Sequence, residues 1–227
     1  MFNIKLAGEN AIIIYFGDQI TPGLAEKIAF HTKMLSDEMD ELIIDVVASY
    51  TSLMITYRID LISHQDFCKK VKDVVLKKSF VATNFNSALL EIPVYYGVEV
   101  GLDLERLLIE KNLSLEEFSV LHSSKDYLVY AIGFSPAFAF LGEVDERISV
   151  ARLKNPRIQI PAGSVGIADK QTAVYPINSS GGWNIIGRTP LDFSLSNQKN
   201  LKRFSVGNRV RFIPIGQDEY LSLGGVL

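Results

Sequence analysis

The decisive stretch lies between residues 129 and 190. It contains Gly133-Phe134-Ser135-Pro136-Ala137-Phe138-Ala139-Phe140-Leu141-Gly142, then Ile160-Pro161-Ala162-Gly163-Ser164-Val165-Gly166-Ile167-Ala168. Gln171-Thr172-Ala173-Val174-Tyr175-Pro176 follows, and Gly181-Gly182-Trp183-Asn184-Ile185-Ile186-Gly187-Arg188-Thr189-Pro190 closes it. Glycine and proline are concentrated here, which specifies the backbone path tightly and lets a ligand or partner approach main-chain groups. From Tyr127 onward, short apolar runs are separated by Gly, Pro, Asn and Asp. Residues 127–132, 157–160, 173–175, 183–187 and 209–213 read as strands, the pattern of a closed or two-layer β-structure.

Upstream, the chain reads differently. Residues 11–16, 42–47 and 52–57 are β-branched and aromatic runs, hence strands. Between the first two, Thr21-Pro22 reads as an N-cap followed by proline at the first helical position, and Leu24, Ile28 and Leu35 recur at helical spacing. Ser63 opens a second helix with the apolar stripe Phe67, Val71, Val74 and Val75, coated by Lys69, Lys70, Lys72, Lys77 and Lys78. The order β-α-β-β-α, with residues 88–94 available as a final strand, is ferredoxin-like. Residues 78–87 are polar enough to be a linker. Residues 102–121 read as one helical passage carrying a capping-box pattern at Ser114-Leu115-Glu116-Glu117. The expected fold class is α+β, with a small ferredoxin-like α/β domain over residues 1–86 and a β-domain over 87–227.

The 227 residues are 48% hydrophobic and 22% charged, the balance of a globular protein with a substantial core. The net charge of −3 argues against a dedicated nucleic-acid binder. Cys68, the single cysteine, forms no internal disulfide and fits a reducing cytoplasm. No secretory signal opens the chain, and the apolar run 11–16 is far shorter than the ~20 residues that cross a bilayer. The expectation is a cytoplasmic protein with neither nucleic acid nor membrane as partner.

Each polar constellation admits a functional and a structural reading. Gly133-Phe134-Ser135-Pro136-Ala137 falls short of a nucleophile elbow, because Pro136 sits where the turn should feed a helix and no histidine follows His122. Gly163-Ser164-Val165-Gly166 fits an anion-binding concavity of main-chain N–H groups, or a tight connection between strands. The Walker ending Gly-Lys-Ser/Thr is absent. Arg188 has the fork that grips carboxylate or phosphate. Trp183 suits a planar ligand, a protein partner or the core. His31 and His64, on or beside helices, read as exposed. His122, between a helix and a strand, can cap or act as a base. No cluster has metal-ligand spacing, so no metal is expected.

Taken in order, the motifs quoted above resemble the family of the 5-oxoprolinase B subunit, also called KipI-like or allophanate hydrolase subunit 1. Tyr15-Phe16-Gly17-Asp18-Gln19-Ile20, Ser49-Tyr50-Thr51-Ser52-Leu53, Ile92-Pro93-Val94-Tyr95-Tyr96-Gly97 and His122-Ser123-Ser124 resemble it too, so nearly the whole chain is covered. The resemblance implies a small N-terminal α/β domain and a C-terminal cyclophilin-like β-barrel. It implies cytoplasmic residence and two partners, the homologous C subunit and the A subunit of 5-oxoprolinase. That set opens 5-oxoproline to glutamate at the expense of ATP, and which of its members binds ATP stays open. One stretch departs: the family usually carries Pro-Gly-Phe-Pro-Tyr where this chain has Pro136-Ala137-Phe138-Ala139-Phe140. A glycine free to take positive φ, a rigid proline and a tyrosine hydroxyl are thereby lost.

The implied reaction needs anion-stabilising donors and a carboxylate clamp. His122, as proton shuttle, and Arg188 are the catalytic candidates. Phe134, Pro161, Gly163 and Ser164 are expected on a substrate- or anion-binding face, together with Gln171, Tyr175, Gly182 and Trp183. Two other readings follow from the same resemblance. One is an inhibitor of a sensor histidine kinase, as a family relative is. The other is the carboxyltransferase half of a biotin-dependent enzyme, for which another chain would carry the biotin.

Overall fold

The computed structural model describes residues 2–21, 23–77, 80, 87–194 and 204–227. Pro22 and most of the expected linker 78–87 lie outside the described residues. The chain divides into two compact units, Met1–Ser87 and Ala88–Leu227.

The first unit runs β1 (Asn3–Leu6), β2 (Ala11–Tyr15), α1 (Leu24–Met39), β3 (Ile43–Ser49), β4 (Ser52–Tyr57) and α2 (His64–Lys77). Its antiparallel sheet has the order β1-β2-β4-β3. The two-residue period of the strands sends Ile12, Ile14, Leu53 and Ile55 to one face, where Ile28 and Leu35 of α1 and Phe67 and Val71 of α2 meet them. Residues 88–94 do not complete this sheet, since they belong to the second unit; β1 lies beside β2 instead. α1 starts after Gly23, at φ 82, with no side-chain cap, so Thr21 contributes its carbonyl to Leu24 N–H rather than a capping hydroxyl. His31 is buried, not exposed, stacked on Phe16 at 5.0 Å. Burial, reinforced by Lys27, lowers its pKa to about 4. His64 is half-buried, with Nδ1 2.9 Å from the Tyr57 hydroxyl and Nε2 3.4 Å from Cys68 Sγ.

The second unit opens with β5 (Leu89–Tyr95), α3 (Leu104–Lys111) and α4 (Leu115–Ser123). It continues through β6 (Tyr127–Ile132), β7 (Ala139–Gly142), β8 (Arg157–Ile160), β9 (Ser164–Ala168) and β10 (Gln171–Val174). It ends with β11 (Ser179–Gly181), β12 (Asn184–Arg188), β13 (Arg209–Ile215) and α5 (Gln217–Ser222). The order β6-β13-β5-β12-β9-β10-β7, with β7 pairing back to β6, closes a seven-stranded barrel. Only β13 and β5 run parallel within it. β8 and β11 form a separate two-stranded sheet.

The barrel core contains Val94, Val129, Leu141, Val165, Ile167, Ile186 and Phe212, to which α3 and α4 add Leu104, Leu107, Phe118 and Leu121. The expected single helical passage is two helices. Asn112 takes the left-handed conformation at φ 51 and ends α3, with its N–H returning to Ile109 and Leu108 carbonyls. Ser114 then caps α4 through the full reciprocal box with Glu117.

Candidate functional site

Alternation along β9, β10 and β12 sorts the candidate residues. Val165, Ile167, Val174 and Ile186 enter the barrel core, while Ala173, Tyr175 and Ile185 join a cluster on the other face with Phe138, Ile160 and Trp183. Ser164 stands directly opposite Arg188 in the β9–β12 register. On its other side, the Tyr175 N–H donates to the Ser164 carbonyl at 2.9 Å. Opposed residues share a face, so Tyr175, Ser164 and Arg188 form one row across three strands.

The turn before Ser164 is a strand connection, not an anion-binding concavity. Gly163 N–H donates to the Tyr175 carbonyl at 2.8 Å and Ser164 N–H to the Pro161 carbonyl at 3.2 Å, so those donors are already engaged. Gly163 sits at φ 80, and a Cβ there would lie 2.6 Å from the Thr189 carbonyl oxygen. Only glycine lets the turn pass so close to β12.

Beside Tyr175 opens a cleft of about 170 Å³ lined by Phe134, Phe138, Phe140, Arg152, Tyr175 and Trp183, with Gly181 and Gly182 among its backbone. Phe138 is the hub, edge-on to Phe134 at 5.3 Å, Tyr175 at 5.2 Å and Trp183 at 5.7 Å. Such T-shaped pairs hold rings in defined orientations. Phe134 stays 66% exposed at the rim. The Arg152 guanidinium lies 5.8 Å from the Trp183 ring centroid, where the ring face attracts a cation. Burial pushes the Tyr175 phenol up to about 12, so it remains a neutral hydroxyl. Arg152 escapes a motif-based reading because it lies between the Gly/Pro-rich segments.

A second cleft, of about 150 Å³, is lined by residues including Gly163, Arg188, Thr189, Tyr220, Gly225 and Val226. Arg188 Nη1 donates to the Val226 carbonyl at 3.0 Å. Arg188 Nε and Ser164 Oγ are buried with no hydrogen-bond partner among the described residues. Pro161, Ser164 and Gln171 line neither cleft; Gln171 pairs with Gly142 across β10 and β7.

His122 does not join this face. It is fully buried in α4, with Nδ1 2.7 Å from the Tyr96 hydroxyl and Nε2 2.9 Å from Thr172 Oγ1. Its ring stacks on Phe212 at 4.6 Å. Burial, with Lys125 adding to it, lowers its pKa to about 3. Both expectations for it are corrected: it is a neutral polar node of the core, neither a helix cap nor a base that substrate can reach.

Asp103 is a buried hub beside this face that the sequence reading missed. Only 4% exposed, it takes a two-pronged bond from Arg157, at 2.7 and 2.9 Å, and accepts the Ile185 N–H at 2.7 Å. It thereby ties β8 to β12 behind the aromatic cluster. A lone acid at a helix start reads as a solvated charge, so no pattern flags it. Among the described residues no His, Cys, Asp and Glu cluster could hold a metal, and no helix is long and apolar enough to cross a membrane.

Residues 2–202 match the family model for the carboxyltransferase domain, subdomain C and D. The chain is 34% identical over 228 residues to the 5-oxoprolinase B subunit of Bacillus subtilis (strain 168), covering 96% of this chain and 95% of that protein. It is 41% identical over 128 residues to the 5-oxoprolinase B subunit of Escherichia coli O157:H7, covering 56% and 59% of the two chains. The crystal structure of TTHA0988 superposes with a TM-score of 0.78 at 29% identity, over 91% of this chain and 40% of that longer one. The chain belongs to the family of the 5-oxoprolinase B subunit, on a carboxyltransferase domain of subdomain C and D type.

Proposed function

We propose that this chain is the B subunit of a cytoplasmic, ATP-dependent 5-oxoprolinase, which with the A and C subunits hydrolyses 5-oxo-L-proline to L-glutamate. The observation that carries this reading is the end-to-end similarity to the Bacillus subtilis protein, over 96% of one chain and 95% of the other. We read the barrel as cyclophilin-like, and the first unit as a ferredoxin-like sheet in which β1 takes the place of the final strand.

The aromatic cleft suits a small ring. Five aromatic side chains present apolar faces and edges, and Arg152 supplies one positive charge at their margin. A five-membered lactam with a carboxylate needs those two things: apolar contact for its ring and a cation for its acid. Phe134, Tyr175 and Trp183 would hold the ring, and Arg152 would orient the carboxylate.

Among the described residues, these clefts do not fit ATP. The two clefts of the second unit measure about 150 and 170 Å³, below the ~300 Å³ at which ligand pockets usually begin. Each offers a single arginine. The open groove of the first unit is larger, about 840 Å³, but its lining, Phe2, Lys5, Tyr15, Asp18 and Thr51 among others, offers a triphosphate one lysine and also an aspartate. Nucleotide chemistry is therefore assigned to another member of the complex, and so is the base that activates water, because His122 is sealed in the core. This chain's share is to seat and orient the substrate.

A tagged copy co-expressed with the A and C subunits tests the assembly. We expect a stable complex that survives gel filtration. Recovery of this chain alone, with the other two both soluble and unbound, would contradict the reading.

A further inference from the structure

Arg188 lines the second cleft with a stranded donor, and Ser164, directly opposite it on β9, carries another. Arg188 makes one hydrogen bond through Nη1, to a neutral carbonyl, and has no carboxylate partner among the described residues. Its Nε is buried and unpartnered. Ser164 Oγ, on the residue directly opposite, is equally buried and unpartnered. Buried polar groups are almost always satisfied, and a cluster of exceptions calls for an explanation.

A short strap after α5 lines the same cleft as Arg188 through Gly224, Gly225 and Val226. Gly224 takes φ 90, and Gly225 crosses the Tyr220 ring so closely that a Cβ would lie 2.5 Å from it. Gly225 N–H returns to the Tyr220 carbonyl at 2.9 Å. The strap is then hooked at its far end. The Tyr220 hydroxyl donates to the Val226 carbonyl at 2.9 Å and accepts the Val226 N–H at 3.2 Å. The carbonyl that occupies Arg188 is thus the one that Tyr220 holds in place. The acid in the lining, Asp192, is engaged by Ser194 N–H at 2.7 Å and Ser194 Oγ at 2.9 Å.

We propose that Arg188 and Ser164 form a second carboxylate-binding site, kept shut by the strap 223–226, which a small free carboxylic acid opens by replacing the Val226 carbonyl on the guanidinium. A carboxylate offers two charged acceptor oxygens where the carbonyl offers one neutral oxygen. It can take the Nε edge of the fork as well as a terminal nitrogen, and charge-assisted pairs of this kind are roughly twice as strong as neutral ones. The Ser164 hydroxyl, on the residue directly opposite Arg188, is the second donor available to its remaining lone pairs. The exchange satisfies both stranded donors and frees the strap. This site is separate from the aromatic cleft, and the inference concerns the chain alone, so it does not rest on the assembly reading.

The test is arginine side-chain NMR on the full chain, following the Arg188 Nε–H during titration with sodium acetate or sodium 5-oxoproline. Sodium chloride at matched ionic strength and 2-pyrrolidinone, the lactam without the acid, serve as controls. We expect a saturable shift with both carboxylates and none with either control, together with faster hydrogen exchange at the Val226 N–H. Tyr220→Phe, which loses both hooks and keeps the ring, should bind acetate about fivefold tighter. Ser164→Ala should bind it more weakly, and Arg188→Lys, which lacks the fork, should lose the acetate-dependent rise in Val226 N–H exchange. Chloride producing the same shift, no saturation with acetate, or unchanged affinity in a folded Tyr220→Phe variant would overturn the proposal. Failure of the three-protein mixture to release glutamate would leave these outcomes unaltered.

Discussion

Ala137 sits at φ 64 in the loop that carries Phe134 and Phe138. A residue with a Cβ pays roughly 1 kcal/mol or more in that region, and glycine does not. Ala137→Gly should therefore stabilise the protein by about 0.5–1 kcal/mol, read as a higher urea midpoint. Phe134 also has positive φ, at 68, yet is 66% exposed. Phe134→Ala should leave stability within about 0.5 kcal/mol of the parent while raising the KM for 5-oxoproline in the assembled enzyme. Equal KM values would remove Phe134 from the substrate face. His122 gives a pH signature. Its native pKa is about 3, against an ordinary value of 6.5. Below pH 6.5 the unfolded chain therefore takes up a proton that the native state refuses. Stability falls as pH drops from 6.5 towards 3, by at most about 1.4 kcal/mol per unit for this group. His31, lowered to about 4, adds to the same limb. His122→Gln should show a shallower loss between pH 6.5 and 4 in urea titrations; an unchanged slope would contradict the burial account. The positive φ at residue 137 was legible as a family position for glycine. The burial of His122 was not, because it depends on Tyr96 and Thr172 arriving from β5's end and β10.

At the scale of elements, the Asp103–Arg157 pair determines whether β8 stays against the barrel. The pair is bidentate and Asp103 is nearly sealed. Asp103→Ala leaves Arg157 without its partner and the Ile185 N–H without an acceptor. Arg157 keeps access to water, so the main cost is the stranded Ile185 N–H, about 1–3 kcal/mol, measurable as a lower urea midpoint. Loss of the capping box is milder: Ser114→Ala should cost about 1 kcal/mol. The two differ in legibility for a physical reason. The box is a four-residue pattern, visible locally at Ser114 and Glu117. The Asp103 hub joins residues 54 and 82 positions apart, which no local pattern encodes. β6 and β8 match their sequence reading residue for residue because β-branched and aromatic runs bounded by breakers mark strands. β1 escapes a sequence reading because Asn-Ile-Lys-Leu is short and mixed, and β9 because Ser164 and Gly166, with Gly163 just before them, suggest a turn.

On the scale of the whole molecule, the division near residue 88 separates a helix-covered sheet from a closed barrel. The change in texture from spaced helices to short strands announces it. The grouping of Tyr175, Ser164 and Arg188 in one row was not legible, since it requires the β10-β9-β12 register. That row and the aromatic cleft beside it present binding groups without a reachable base or a triphosphate cradle. This chain is therefore expected to act only within an assembly. The most direct test is ATP-dependent glutamate release from 5-oxoproline by the purified A, B and C subunits, with each omitted in turn. We predict release with all three, and loss of at least about 100-fold when this chain is left out. Undiminished release by the other two without it, or full release by this chain alone, would contradict the account.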